Sequence, residues 1–170
     1  MLIKSFGLFW RTSEIDWNPG QGVKDSFRLL GRNGTYLPGV KVADFRNQQG
    51  IYILYGNYGP YYVGLTRKQG LGKRLKNHLT DNHAELWDRF SWFGFRKVLN
   101  ASCDDKTKKL GKLTNISLGT TEKAIGDIEA LLIKAMGLRN IAQMNFEDAE
   151  EWEQVENHEV EYYLEKILDK

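Results

Sequence analysis

Three features of this chain have the residue types and spacing for chemistry on a phosphate ester. The first is a pair of tyrosine-bearing runs, Gly50-Ile51-Tyr52-Ile53-Leu54-Tyr55 and Tyr61-Tyr62-Val63-Gly64-Leu65-Thr66. The second is Arg74 with His78, four residues apart and therefore projecting together from one helix. The third is Glu129, set among Ile125, Ile128, Leu132, Ala135 and Met136 at helical spacing. A carboxylate on a buried face is costly unless a cation, a metal or a strong donor meets it. The bland alternative is that the stripe reaches the surface at Glu129. His78 taken alone would be an ordinary surface histidine, and only its step from Arg74 raises it. Phosphodiester hydrolysis needs a deprotonated water, neutralisation of charge on the phosphate and stabilisation of the departing oxygen. Arg74 supplies a fork for phosphate oxygens that lysine could not copy. Glu129 supplies one hard oxygen ligand for a single Mg2+ or Mn2+, with water and phosphate filling the other positions.

The elements that must position these groups follow from pattern. The two tyrosine runs flank Gly56-Asn57-Tyr58-Gly59-Pro60, which is turn chemistry, so they read as a β-hairpin. Alternation puts Ile51, Ile53 and Tyr55 on one side and Tyr52 on the other, with Tyr62, Gly64 and Thr66 together on the second strand. Leu71, Leu75 and Leu79 then recur every fourth residue, predicting a helix that continues or restarts through Ala84–Phe90. A third strand is expected over Ser91–Leu99, then a long polar loop over 100–119, of the kind that is usually functional. Thr120 or Thr121 caps the helix that carries Glu129, which ends near Gly137. Residues 1–47 read as an extension laid on the sheet, with a strand Ser5–Trp10 paired to Ser13–Trp17. Trp10 and Trp17 there are either core or platforms for nucleic acid bases. Residues 146–170 read as an acidic amphipathic helix docked on the domain, or as one that binds a basic partner.

Composition narrows the classes. The chain of 170 residues suits one domain plus modest extensions, and 41% hydrophobic with 27% charged residues is ordinary for a globular protein. It holds no apolar run of the ~18 residues that a membrane span needs, and Met1–Ser5 lacks the build of a signal peptide. Cys103 is the single cysteine, so a cytoplasmic setting is the default. With His78, His83 and His158 the only histidines, a cysteine/histidine zinc site is close to excluded. The net charge of +2 hides an asymmetry: residues 49–119 carry twelve Lys/Arg against five Asp/Glu, and residues 120–170 carry five against thirteen. A basic middle suits a polyanion, because each phosphate neutralised releases counterions. Its candidate contacts are Arg67, Lys68, Lys73, Lys76, Lys106, Lys108, Lys109 and Lys112.

Gly50-Ile51-Tyr52 and Tyr62-Val63-Gly64, nine residues apart, resemble the two signature strands of the GIY-YIG nuclease family. Taken in order, Tyr52, Tyr62, Arg74, His78, Glu129 and Asn140 match the family's tyrosine, tyrosine, arginine, histidine, glutamate and asparagine. The resemblance covers roughly residues 48–141, with Val63 in place of the usual isoleucine. Leu138 stands where proline often precedes the asparagine, and Asn145 is the alternative to Asn140. The resemblance implies a nuclease domain over 48–145 and a metal-dependent DNA endonuclease with one ion on Glu129. It makes Tyr52 the general base or water-positioning phenol, with Tyr62 and His78 in the proton relay. A phenol whose ordinary pKa is about 10 needs nearby positive charge for that role. The expected fold is α+β: a small, mainly antiparallel sheet of about three strands flanked by helices, with an N-terminal arm and a C-terminal helix. The rival from another class is a catalytically idle nucleic-acid-binding module that retains the fold. RNA as substrate, and a homodimer or protein partner, stay open.

Overall fold

The computed structural model describes residues 2–20, 27–34, 40–113, 115, 119–138 and 146–168, with 164–168 described by backbone alone. In chain order the strands and helices are β1 (Ser5–Arg11), β2 (Leu30–Asn33), β3 (Lys41–Asp44), β4 (Gly50–Gly56), β5 (Gly59–Leu65) and α1 (Leu71–His78). Then come β6 (Arg89–Gly94), β7 (Val98–Ser102), β8 (Lys108–Leu110), α2 (Thr121–Met136), β9 (Glu150–Glu151), β10 (Glu153–Gln154) and α3 (Asn157–Leu168).

The strands form two five-stranded sheets, β5-β4-β6-β1-β9 and β10-β2-β3-β8-β7. Both are mixed: β1 runs parallel to β9 and β3 parallel to β8, while the other pairings are antiparallel. This overturns the expectation of one small sheet of about three strands, although an α+β class is compatible with it. The extra strands come from four stretches whose sequences lack clean alternation. One is Lys108–Leu110, which pairs with β3 and β7 inside the segment 100–119 expected to be a polar loop. Ser5–Arg11 pairs with β6 and not with Ser13–Trp17, where a 3-10 turn forms over Thr12–Glu14. Leu30-Gly31-Arg32-Asn33 and Lys41–Asp44 pair with each other. The acidic stretch before α3 supplies β9 and β10, two residues each. The strand expected over Ser91–Leu99 divides into β6 and β7, which belong to different sheets. No helix restarts over Ala84–Phe90, which is turn and then the start of β6.

Three apolar clusters place the layers. The largest, with Trp10, Phe45, Tyr52, Leu54, Leu71, Leu75, Phe90, Trp92 and Trp152 buried, joins one face of the first sheet to α1 and the second sheet. The opposite face of the first sheet packs Ile53, Tyr55 and Phe93 against Ala130 and Ala135 of α2. The outer face of the second sheet packs Leu30 and Val42 against Tyr163 of α3. Trp10 is therefore core, and Trp17 is half-buried with its indole N–H donated to the Thr12 carbonyl at 3.1 Å. Among the described residues, no helix is long and apolar enough to cross a membrane.

Candidate active site

The tyrosine hairpin has the geometry that its glycines permit. Tyr52 on β4 lies opposite Gly64 on β5, and Leu54 opposite Tyr62. A Cβ on Gly64 would stand 2.2 Å from both Cζ and the hydroxyl oxygen of Tyr52, so the absent side chain is the space that the phenol occupies. A Cβ on Gly50 would stand 2.0 Å from the Phe93 carbonyl oxygen, so this glycine allows β6 to close on β4. Together they lay a fully buried Tyr52 ring along the sheet and aim its hydroxyl at the end of α1.

At that end the hydroxyl of Tyr52 meets Nε2 of His78 at 2.8 Å, and Nδ1 of His78 meets Oδ2 of Asp81 at 2.7 Å. His78 is the last residue of α1, and its carbonyl accepts the indole N–H of Trp87 at 3.2 Å, which ties the helix end down. Asp81 is fixed in turn by the backbone N–H of His83, 2.8 Å from Oδ1. Tyr62 lies over the group, its ring centroid 5.2 Å from His78, 4.5 Å from His83 and 6.2 Å from Tyr52. The hydroxyl of Tyr61 is 3.1 Å from Nδ1 of His83. Four side chains from two strands and one turn, Tyr52, Tyr62, Asp81 and His83, thus converge on His78 at the end of α1.

The electrostatics of this cluster run in opposing directions. Burial pushes the Tyr52 phenol above its ordinary pKa, while the Arg74 guanidinium beside it pulls it down and Tyr62 pushes it up. Burial also holds His78 below its ordinary value, against the upward pull of Asp81 and with the help of His83 and Arg74. Asp81 loses some hydration, which favours its neutral form. Its bonds to the His83 N–H and to His78 outweigh that and hold the carboxyl below the usual range. At neutral pH the group is therefore a neutral phenol, a neutral imidazole and a carboxylate. Asp81 accepts the Nδ1 proton of His78, which leaves Nε2 as an acceptor for the Tyr52 hydroxyl. Arg74 is half-buried, and its Nε has no hydrogen-bond partner.

Tyr52, Tyr62, Arg74 and His78 come together as expected from their order. Glu129 is carried by α2, which packs on the opposite face of the first sheet. It is exposed on α2, whose buried side chains are Asp127, Ala130 and Ala135. Of the stripe read as buried, Ala135 packs inward while Ile125 60%, Ile128 61%, Leu132 53% and Met136 58% are exposed. Ala130 and Ala135, with a half-buried Leu131, pack toward the sheet. Among the described residues, Glu129 belongs to no group of three or more ligating side chains. Asn140 and Asn145 lie outside the described residues. The basic candidates divide. Lys68, Lys108 and Lys109 line a cavity of about 470 Å3 with Arg46 and Arg96, where α1 begins. Arg67, Lys73 and Lys112 are exposed, and Lys106 is half-buried. Lys76 is committed to the Trp17 carbonyl at 2.9 Å and to the Phe27 ring.

Asp81 and His83 are the residues that sequence reasoning missed. Asp81 follows His78 by three residues at the end of an amphipathic helix, and that spacing was the available signal. Together with His78 they form the one group of three or more ligating side chains among the described residues, with their donor atoms within 4.8 Å of one another. The chain was compared with protein-family models, with curated proteins and with solved structures, and none of the three comparisons gave a match.

Proposed function

We propose that the protein hydrolyses phosphodiester bonds in nucleic acid, with DNA as the substrate and Tyr52, Tyr62, Arg74, His78 and Asp81 as the reacting group. The observation that carries this reading is the chain Tyr52–His78–Asp81, buried at its centre and flanked by a guanidinium with an unpartnered Nε. The resemblance of the hairpin to the GIY-YIG nucleases supports the same chemistry.

Arg74 takes the phosphate oxygens and neutralises charge that builds on them. A water attacks phosphorus, the bond to the leaving oxygen breaks, and that oxygen takes a proton from solvent. The proton of the attacking water passes to the Tyr52 hydroxyl as the phenol gives its own to Nε2 of His78, and Asp81 stabilises the imidazolium. This replaces Tyr52 as a free phenolate base with Tyr52 as a relay, because burial keeps the phenol protonated at neutral pH. The basic cavity at the start of α1 receives neighbouring phosphates of the same strand. A reducing, cytoplasmic setting belongs to this reading.

The test is cleavage of supercoiled plasmid, branched DNA and RNA by the purified protein, beside Tyr52→Phe and Asp81→Asn. Nicking of DNA that falls by about two orders of magnitude in both variants supports the reading. Salt-sensitive binding with no cleavage of any of the three substrates refutes it in favour of the idle binding module.

A further inference from the structure

We infer that His78, Asp81 and His83 form a seat for one divalent transition-metal ion of the zinc type. Two imidazoles and one carboxylate, their donor atoms within 4.8 Å of one another, are a donor set that suits Zn2+ or Co2+. Mg2+ prefers oxygen alone and holds most of its waters, so it is the wrong ion for this group. The scarcity of cysteine, which argued against a cysteine/histidine site, does not bear on a seat that takes its third donor from Asp81.

The surroundings of the two rings are an independent observation. A ligating histidine normally gives its other ring nitrogen to an oxygen that fixes the ring and its tautomer. Both rings have such an oxygen here, and in both it is a tyrosine hydroxyl. Nε2 of His78 lies 2.8 Å from the Tyr52 hydroxyl, and Nδ1 of His83 lies 3.1 Å from the Tyr61 hydroxyl. With an ion between them, His78 coordinates through Nδ1 and donates its proton from Nε2 to Tyr52. His83 coordinates through Nε2 and donates from Nδ1 to Tyr61. Asp81 keeps Oδ1 on the backbone N–H of His83, at 2.8 Å, and turns Oδ2 from the His78 proton to the ion. Metal–ligand bonds near 2 Å require the three donors to draw together. His83 lies in the turn after α1 and is only half-buried, so it is the ligand with room to move. The Asp81 side chain is 40% exposed, which leaves one side of the seat open to a water or a substrate oxygen.

The inference stands on the donor geometry and not on phosphodiester hydrolysis, and the two belong to different states of the site. An ion on Nδ1 leaves Nε2 of His78 protonated, so the metal-bound form would not take the Tyr52 proton and the relay belongs to the metal-free protein. Chelator-treated full-length protein is titrated with Zn2+ by calorimetry and with Co2+ by visible absorption. The expected result is one ion per chain, with affinity reduced at least tenfold by Asp81→Asn and by His83→Gln. Glu129→Ala and the exposed His158→Ala should bind as the parent does, and Mg2+ in excess should not compete. Circular dichroism of each variant checks that the fold is kept, and His83→Gln, in a half-exposed turn, is the variant least able to disturb it. Absence of binding by the parent overturns the inference. So does binding that Glu129→Ala abolishes, or binding that both Asp81→Asn and His83→Gln leave unchanged. Cleavage is assayed separately on the chelator-treated protein, so a bound ion together with no hydrolysis by the metal-free form removes the proposed function alone.

Discussion

Gly64→Ala tests the link between the hairpin and the candidate site most directly. The new methyl would stand 2.2 Å from Cζ and the hydroxyl oxygen of Tyr52, whereas ordinary contact begins near 3.4 Å. The ring must therefore retreat by roughly 1.2 Å in a place where it is fully buried. Overpacking of this kind costs about 1–3 kcal/mol. The retreat also carries the hydroxyl off Nε2 of His78, now 2.8 Å away, and a buried bond lost adds about 1 kcal/mol. The expected destabilisation is thus about 2–4 kcal/mol, read from urea unfolding with an unchanged m value. The clash belongs to the ring, so Gly64→Ala in a Tyr52→Leu background should cost far less. The coupling between the two substitutions should be about 2 kcal/mol. If the two are additive within about 0.5 kcal/mol, the phenol does not occupy the space above Gly64 and the reasoning fails.

Three further outcomes follow from other parts of the molecule. Arg74→Lys keeps the charge but loses the fork, and should lower kcat/KM for DNA cleavage by about two orders of magnitude with the melting temperature preserved. Trp152→Ala empties a fully buried site against Phe45 and should cost about 3–5 kcal/mol in chemical denaturation, although it lies in the acidic tail. Tyr55 donates its hydroxyl to the Ala135 carbonyl at 2.5 Å, and burial raises its pKa above 10.0, with Ser91 and Arg89 pulling the other way. The folded phenol then keeps a proton that the unfolded one releases. Its contribution is fully present below about pH 10 and is lost as pH climbs toward the folded value, by up to about 1.4 kcal/mol per pH unit. Urea midpoints measured between pH 9 and 11 should fall less steeply in Tyr55→Phe than in the parent.

The hairpin and α1 were legible because their signals are local. Glycine, tyrosine and β-branched residues bound both strands, and Leu71 and Leu75 mark the buried face of the helix. The convergence of Tyr52, Tyr62, Arg74 and His78 was legible for the same reason, since one hairpin and one helix suffice to build it. Asp81 and His83 were not, because their partners lie across a turn that reads as more helix. β9 and β10 were illegible for a different reason: Glu150, Glu151, Glu153 and Gln154 have no strand propensity of their own, and pairing with β1 and β2 imposes the conformation. Glu129 misled because an apolar stripe was taken to mark the packed face of α2. Of that stripe Ala135 packs, beside Ala130, since small side chains bring the helix close to the sheet.

The insertion of β1 between β6 and β9 has a kinetic consequence. Both of its edges pair with segments far along the chain, and the Trp10 indole N–H reaches the Trp152 carbonyl across 142 residues. Such closures must lose loop entropy before any contact compensates, which places the protein among slow folders, on the scale of milliseconds to seconds. During synthesis, β4, β5 and α1 leave the ribosome able to form a local unit. The first sheet cannot gain its last strand until residues 150–151 follow. Until then the backbone of β1 presents an unpaired edge, and that interval is when the nascent chain is most exposed to aggregation and to chaperone capture.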